Sequence, residues 1–401
     1  DGDGISNLGE LAAGTHPRGT WSRSFAEGAT GPFFDLRFAL FNTSPTASAR
    51  VLLRFMTSEG ALVPHVVVLP PLARATVDPE ALPGLAATAI STVVEADTVV
   101  VVDRTMSWDA THYGSHAETG VAAPSLAWFL AEGATHSGFA LFYLLQNPGA
   151  TTASVTVTYL LSAGEPLVRT YAVAPRSRFN IWVNREDPAL AAADVSAAIA
   201  SDVPIVVERA MYLDVRGQTY GAGHASAGVT APATQWSLAE GATGPFFDLF
   251  VLVANPREDA AEITAAFLLP DGSTVTQAHR VAPRSRYTLW VDHLDARLAD
   301  TSVSTTITST NDVPVVVERA MWWPDGAWAE AHNAAGATAP APAWALAEGE
   351  VGGPDGAQTY LLVANTAAAG ATATVSLYFE GGGVATRAFD VAARSRLTVD
   401  V

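Results

Sequence analysis

The chain is 401 residues long with a net charge of -18 and a basic complement of 22 residues, all of them Arg. That balance disfavours nucleic-acid or anionic-membrane partners, which need a positive field, and the absence of Lys removes Schiff-base chemistry and Lys-Asn crosslinks. There is no Cys, hence neither a disulfide framework nor a thiol site, and the redox compartment stays open; a hydrophobic fraction of 49% with 15% charged residues describes folded protein and not disorder.

The chain opens on Asp1-Gly-Asp3-Gly4-Ile5-Ser6-Asn7-Leu8-Gly9-Glu10. In an EF-hand-type loop, carboxylates, a sharp-turn Gly, a backbone carbonyl and a closing bidentate Glu recur at fixed offsets. Asp1, Asp3, Ile5, Asn7 and Glu10 fill all of these positions except the first, which would lie two residues earlier. This segment resembles a thrombospondin type 3 repeat, which implies calcium on a linker and a secreted or surface setting. With no initiating Met and a start inside a motif, the sequence reads as a piece of something longer. No apolar run is long and uncharged enough to span a membrane; Ala86 to Val102 contains Glu95 and Asp97.

From Trp21 onward the sequence repeats. Ala-Glu-Gly returns with its acid at Glu27, Glu132, Glu240 and Glu348, spaced by 105, 108 and 108 residues. An Asn closes an apolar strand at Asn42, Asn147, Asn255 and Asn365. Arg74, Arg178, Arg286 and Arg396 follow, and then an acid-Arg dipeptide at Asp103-Arg104, Glu208-Arg209 and Glu318-Arg319. His116, His224 and His332 complete each copy. The expected organisation is a linker at 1–20, modules at 21–124, 125–232 and 233–341, and a first half-module at 342–401. Short Pro-containing joints between the copies predict a stiff rod.

Between these landmarks the pattern is that of strands, with β-branched residues, period-two alternation and turns at short intervals. Val155, Val157 and Tyr159 alternate with Thr156 and Thr158; Ser58-Glu59-Gly60, Ser162-Ala163-Gly164, Pro270-Asp271-Gly272 and Gly381-Gly382-Gly383 are hairpin turns. A second hairpin is expected about Ser201-Asp202-Val203-Pro204, and a short helix over Pro188–Ala193. Seven or eight strands in about 108 residues predict an all-β chain of tandem immunoglobulin-like β-sandwich modules. The strings Trp236-Ser-Leu-Ala-Glu-Gly, Ala-Pro-Arg-Ser-Arg286 and Pro314-Val-Val-Val-Glu-Arg-Ala-Met321 resemble repeats of unknown function in large secreted bacterial proteins. The resemblance implies an extracellular β-rich repeat and carries no catalytic residues with it.

Glu132, Glu208, Arg178, Arg209 and His224 could be read as an acid/base site, but recurrence in every copy favours a structural ion-pair network. Ile205, Val207, Arg209 and Met211 share a strand face, so Arg209 should find a buried carboxylate, with Glu132 the nearest expectation. No metalloprotease, nucleophile-elbow or phosphate-loop motif occurs, and nothing positive points to an enzyme. Aromatics gather between the acid-Arg dipeptide and the His: Trp108 and Tyr113, then Tyr212 and Tyr220, then Trp322, Trp323 and Trp328. If exposed they could stack on sugar rings; otherwise they pack the module joints. The fourth copy stops at Val401, before its acid-Arg strand, so the chain either continues or receives strands from another subunit. The leading expectation is an extracellular bacterial structural or adhesive rod, spacer or filament subunit, associating with itself or with neighbouring modules. The alternative is a carbohydrate-binding region attached to a secreted enzyme.

Overall fold

The computed structural model describes residues 9–10, 15–112, 114–215, 217–324, 326–353, 356–380 and 382–401. Among them the regular structure is antiparallel strand, with single turns of 3-10 helix and no helix long and apolar enough to cross a membrane. In the first module, Trp21–Phe25, Ile90–Ala96, Ala49–Thr57 and Leu62–Leu69 form one four-stranded sheet. Arg74–Val77, Phe34–Asn42, Val100–Trp108 and Gly114–Thr119 form the other. The two sheets face each other across Phe25, Phe38 and Phe55, with ring centroids 5.2 and 5.9 Å apart. The third module repeats this layout strand for strand, from Gln235–Leu238 to Glu330–Ala335. In the fourth, the described strands are two pairs, Tyr360–Asn365 with Ser395–Asp400 and Ala371–Tyr378 with Val384–Val391.

Two local expectations are corrected. The segment about Ser201–Pro204 is not a hairpin: Val195–Val215 is one continuous strand that leaves one sheet and enters the other. Its first half pairs with Ala153–Leu161 and its second with Phe139–Asn147. The crossover suits the sequence, since Val195, Ala197 and Ile199 and then Ile205 and Val207 all reach the same interior from opposite sheets. The short helix expected over Pro188–Ala193 is a single 3-10 turn, Pro188–Leu190, capped by the Asp187 side chain accepting from the Ala189 amide. The hairpin turns hold, with Gly60, Gly164, Gly272 and Gly382 at φ of 85, 92, 81 and 87°.

Each recurring Asn is a loop clamp. Asn255 donates from Nδ2 to the carbonyls of Asp259, Val281 and Ala282 and accepts from the Arg257 amide on Oδ1. Asn42, Asn147 and Asn365 make the same kind of bonds, which tie the end of one strand to the loop beyond it.

The modules are not beads on a string. A single apolar core runs through modules 1 and 2 and into Leu252, Val316, Ala320 and Trp322 of module 3. A separate cluster joins Ala39, Phe41 and Val101 of module 1 to Ala347 and Tyr378 of module 4. The stiff rod expected from the short joints is therefore not the arrangement within this chain: the fourth module returns to the first, and four modules form a ring. Strands Gly114–Thr119, Gln218–Ala227 and Glu330–Ala335 lie together at its centre. The reason lies in strands such as Val195–Val215, which bury successive residues on both faces from Ile205 to Leu213, one face in their own sandwich and the other against the next module.

Candidate functional site: the intermodule ion-pair seams

The Val206-Val207-Glu208-Arg209-Ala210 run places two adjacent charges in the middle of an apolar strand. Neighbours on a strand point to opposite faces, so the acid and the Arg cannot serve the same partner. Arg209 turns into its own module, where Nη2 lies 3.2 Å from Glu132 and Nη1 donates to the Glu132 carbonyl at 2.9 Å. This is the carboxylate expected beside it. Glu208 turns the other way and enters module 1, accepting from the Ala26 and Glu27 amides at 2.9 and 3.2 Å and pairing with Arg104. Arg104 in turn lies 3.1 Å from Glu27.

The same seam recurs one module on. Glu318 of module 3 accepts from the Ala131 and Glu132 amides at 2.9 and 3.4 Å and lies 2.6 Å from Arg209. Asp103 of module 1 accepts from the Ala347 and Glu348 amides of module 4 at 2.6 and 2.9 Å. The Ala-Glu-Gly turns of modules 1, 2 and 4 thus each offer two backbone donors to the acid of a neighbour, and the direction is the same in all three.

The second recurring Arg reinforces every seam from the opposite side. Arg178 donates to the Gly28 and Ile90 carbonyls, Arg286 to the Gly133 carbonyl and Arg396 to the Gly241 carbonyl. Arg74 closes the ring, with Nε donating to the Ala347 carbonyl at 2.9 Å and its guanidinium 3.4 Å from Glu348 and 2.9 Å from Glu380. In the first three modules the Gly of the turn is needed for close approach: a Cβ on Gly133 would lie 2.4 Å from the Val195 carbonyl oxygen, and one on Gly241 2.7 Å from that of Val303.

Burial sets the electrostatics. Arg104, Arg209 and Glu208 are 0% exposed. Burial pushes the Glu27 carboxyl up to about 7 against the pull of Arg104, with Glu208 adding repulsion. Burial also opposes charge on Glu132, but the attraction of His224 and Arg209 outweighs it and holds that carboxyl below its usual range. Arg104 and Arg209 are raised: burial works against them, and their paired carboxylates more than offset it. His116, 3.6 Å from Glu27, is driven well below its ordinary value by burial and by Arg104, so it is neutral. Such pairs gain little net stability over apolar packing, but removing one partner strands a buried charge.

The aromatic residues singled out as a sugar platform occupy the seams. Trp108 of module 1 is fully buried, its ring 5.3 Å from that of Tyr212 in module 2 and its indole N–H donating to the Tyr220 carbonyl. Trp322 of module 3 packs at 5.0 Å from Phe139 of module 2, with Trp328 beside it. Tyr220 and Trp323 are half-buried, stacked on Tyr212 and edge-on to Phe247 respectively. Of the two readings of these aromatics, joint packing describes Trp108, Tyr212 and Trp322, all of which are buried. Tyr113 lies outside the described residues, as do Asp1, Asp3, Ile5 and Asn7. Glu10 is described and buried, its carbonyl accepting from the Thr15 amide.

Several seam contacts were not read from the sequence: Asn333, Ser226 and Glu118 were not singled out, and Tyr212 was noted only among the aromatics. Tyr212 donates to Glu27 at 3.2 Å; in the next seam Asn333 takes that place, donating to Glu132. Ser226 accepts from Arg209 at 2.6 Å, and Glu118 accepts from the Ala227 amide across the module boundary at 3.0 Å. The readable signal was the acid-Arg adjacency itself, since period two sends one of the pair out of the module.

No family model and no curated protein matches the chain. Solved structures similar to it include Thermotoga maritima 1070, at 17% identity over 27% of this chain and 96% of that one, with a TM-score of 0.25. The Anabaena sensory rhodopsin transducer is 30% identical over 21% of this chain and 92% of that one, with a TM-score of 0.19. A tetra-tandem repeat in the extending region of a large adhesion protein is 11% identical over 89% of this chain and 84% of that one, with a TM-score of 0.11.

Replacing Arg209 by Ala strands Glu132 and Glu318, and should cost about 3–5 kcal/mol. Arg319→Ala should cost less, because its partner Glu240 is 32% exposed where Glu132 is 6%; urea unfolding of the two variants measures the difference. A pH effect follows from Glu118, which burial and Glu208 push up to about 7. A raised carboxyl costs the fold its charged form above about pH 7 and nothing below its unfolded value, near 4.5. Glu118→Gln, still able to accept from Ala227, should therefore raise the thermal midpoint at pH 8 and leave it nearly unchanged at pH 4.

Proposed function

We propose that this chain is an extracellular structural component whose working unit is the closed set of four modules, serving as a spacer, adhesive element or filament subunit. The single observation that carries this reading is the contact of Arg74 and Asp103 with Ala347 and Glu348, which joins the last module to the first. Polar seams of one kind that recur at three of the four joints hold modules in fixed register; they do not prepare one copy for chemistry. Modules 1 and 3 each set two four-stranded antiparallel sheets around one core, which supports reading the modules as immunoglobulin-like. An adhesive or spacing role needs a rigid body, and a ring with shared cores supplies one without disulfides.

The amino-terminal loop belongs to the same reading as a calcium site. Asp1, Asp3, Asn7 and the Ile5 carbonyl would supply hard oxygen ligands and Glu10 the bidentate one. The buried position of Glu10 fits that closing role. Calcium would supply the positive charge that lets these carboxylates crowd together next to the first module.

Small-angle scattering tests the ring. A compact 401-residue body has a radius of gyration of about 21 Å, and an end-to-end array of the same modules would give roughly twice that. The wild-type chain should give the smaller value, and Arg74→Glu, which opposes Glu348 and Glu380, should raise it. An extended wild-type particle overturns the reading. For the loop, calorimetric titration with calcium should show one site that Glu10→Gln weakens at least tenfold; equal binding by both proteins rejects the assignment.

A further inference from the structure

The seam between modules 4 and 1 is not a third copy of the two internal ones. Glu208 and Glu318 each spread two amides over two oxygens: Ala26 and Ala131 donate to Oε1, and Glu27 and Glu132 to Oε2. Asp103 stands at the same place on its strand with a side chain one methylene shorter. It takes both the Ala347 and Glu348 amides on Oδ2, at 2.6 and 2.9 Å. That leaves Oδ1 to accept from the Thr119 hydroxyl at 2.8 Å, on the adjacent strand. The residues paired with Glu208 and Glu318 in the same position are Ala227 and Ala335, which have no hydroxyl to give.

The packing around the acid changes in step. On its other side Asp103 is paired with Ala39, whereas Glu208 is paired with Leu144 and Glu318 with Leu252, and all of these are buried. Two residues on, module 1 carries Phe41 where modules 2 and 3 carry Gln146 and Ala254. Phe41 packs on Tyr378 of module 4 with ring centroids 4.9 Å apart. The residues that match Tyr378 on the corresponding strands of modules 1 and 2 are Met56 and Leu160. The closing face is therefore smaller beside the acid and larger at its flank. A Glu and Leu face would hold the Ala347-Glu348 turn farther away and leave Tyr378 without a ring to meet. The Asp and Ala face, laid on the turn of module 1 or 2, would fall short of its two amides, and an unmade bond in an apolar seam is costly.

We infer that Ala39, Phe41, Asp103 and Thr119 form a closure key, a set of specificity-determining residues that fits module 4 of the same chain and not the turns of modules 1 or 2. Discrimination between similar partners comes from misfit as much as from fit. The key sets the order in which the ring closes and keeps two copies of the chain from exchanging their faces. The inference rests on the scaffold reading and deepens it by naming the partner of the closing face.

Exchanging the key for the internal type tests this in the full chain. Ala39→Leu, Phe41→Ala and Asp103→Glu together give module 1 the residues that module 3 has at these positions, and Tyr378→Leu gives module 4 the residue of module 2. Each replacement already stands in a folded module. The triple variant should lose the compact monomer, either expanding in small-angle scattering or self-associating with concentration in sedimentation velocity, and Tyr378→Leu alone should do the same. All four substitutions together, with the internal set on both sides, should restore the compact monomer. Partial variants as compact and monomeric as the wild type overturn the inference, and so does a fourfold variant no more compact than the triple. An extended wild-type particle removes the scaffold reading itself, whereas a compact wild type with unresponsive variants removes the key alone.

Discussion

The carboxylate that leaves its own module and accepts two backbone amides of the next is the constraint on which the rest of this structure depends. Each such acid satisfies donors that a tight Ala-Glu-Gly turn would otherwise leave in an apolar seam. Glu208 and Glu318 also meet an Arg already committed to its own module, so a displaced neighbour would cost both modules a buried partner. The arrangement ties fold and assembly together: the strand that completes one sandwich is the strand that orders the next.

Apolar side chains pack across these seams, and the ion pairs supply direction. Phe139 against Trp322 and Trp108 against Tyr212 are contacts that tolerate sliding. A bidentate acid on two amides does not, and it fixes the rotation of each module relative to its neighbour. The fourth module comes back to the first, where Phe41 meets Tyr378 and Arg74 meets Glu348. Buried charges that add little net stability can still be retained because they single out one register among several of similar apolar area.

Much of the sandwich was legible in the chain because its causes are local. Gly at the hairpin turns, alternation in Val155 to Tyr159 and the recurring Asn all report on neighbours a few residues away. The crossover at Ser201–Pro204 was not legible as such, since a Pro-containing break between two apolar segments reads the same for a hairpin as for a strand that changes sheets. The aromatic cluster stayed open between two readings for a related reason. Trp108, Tyr212 and Trp322 have the composition of a displayed platform, and only the position of the adjacent module shows that their faces are covered.

The sequence by itself determined the module, its period and the existence of a buried acid-Arg network, because these follow from spacing and from the two-residue period of a strand. It even contained the reason the network must leave the module, in the adjacency of Glu208 and Arg209. What only the tertiary structure decided was where the acid goes and in which direction the modules turn. That outcome depends on angles between sandwiches, set by side chains more than a hundred residues apart in the chain, and no local pattern records an angle of that kind.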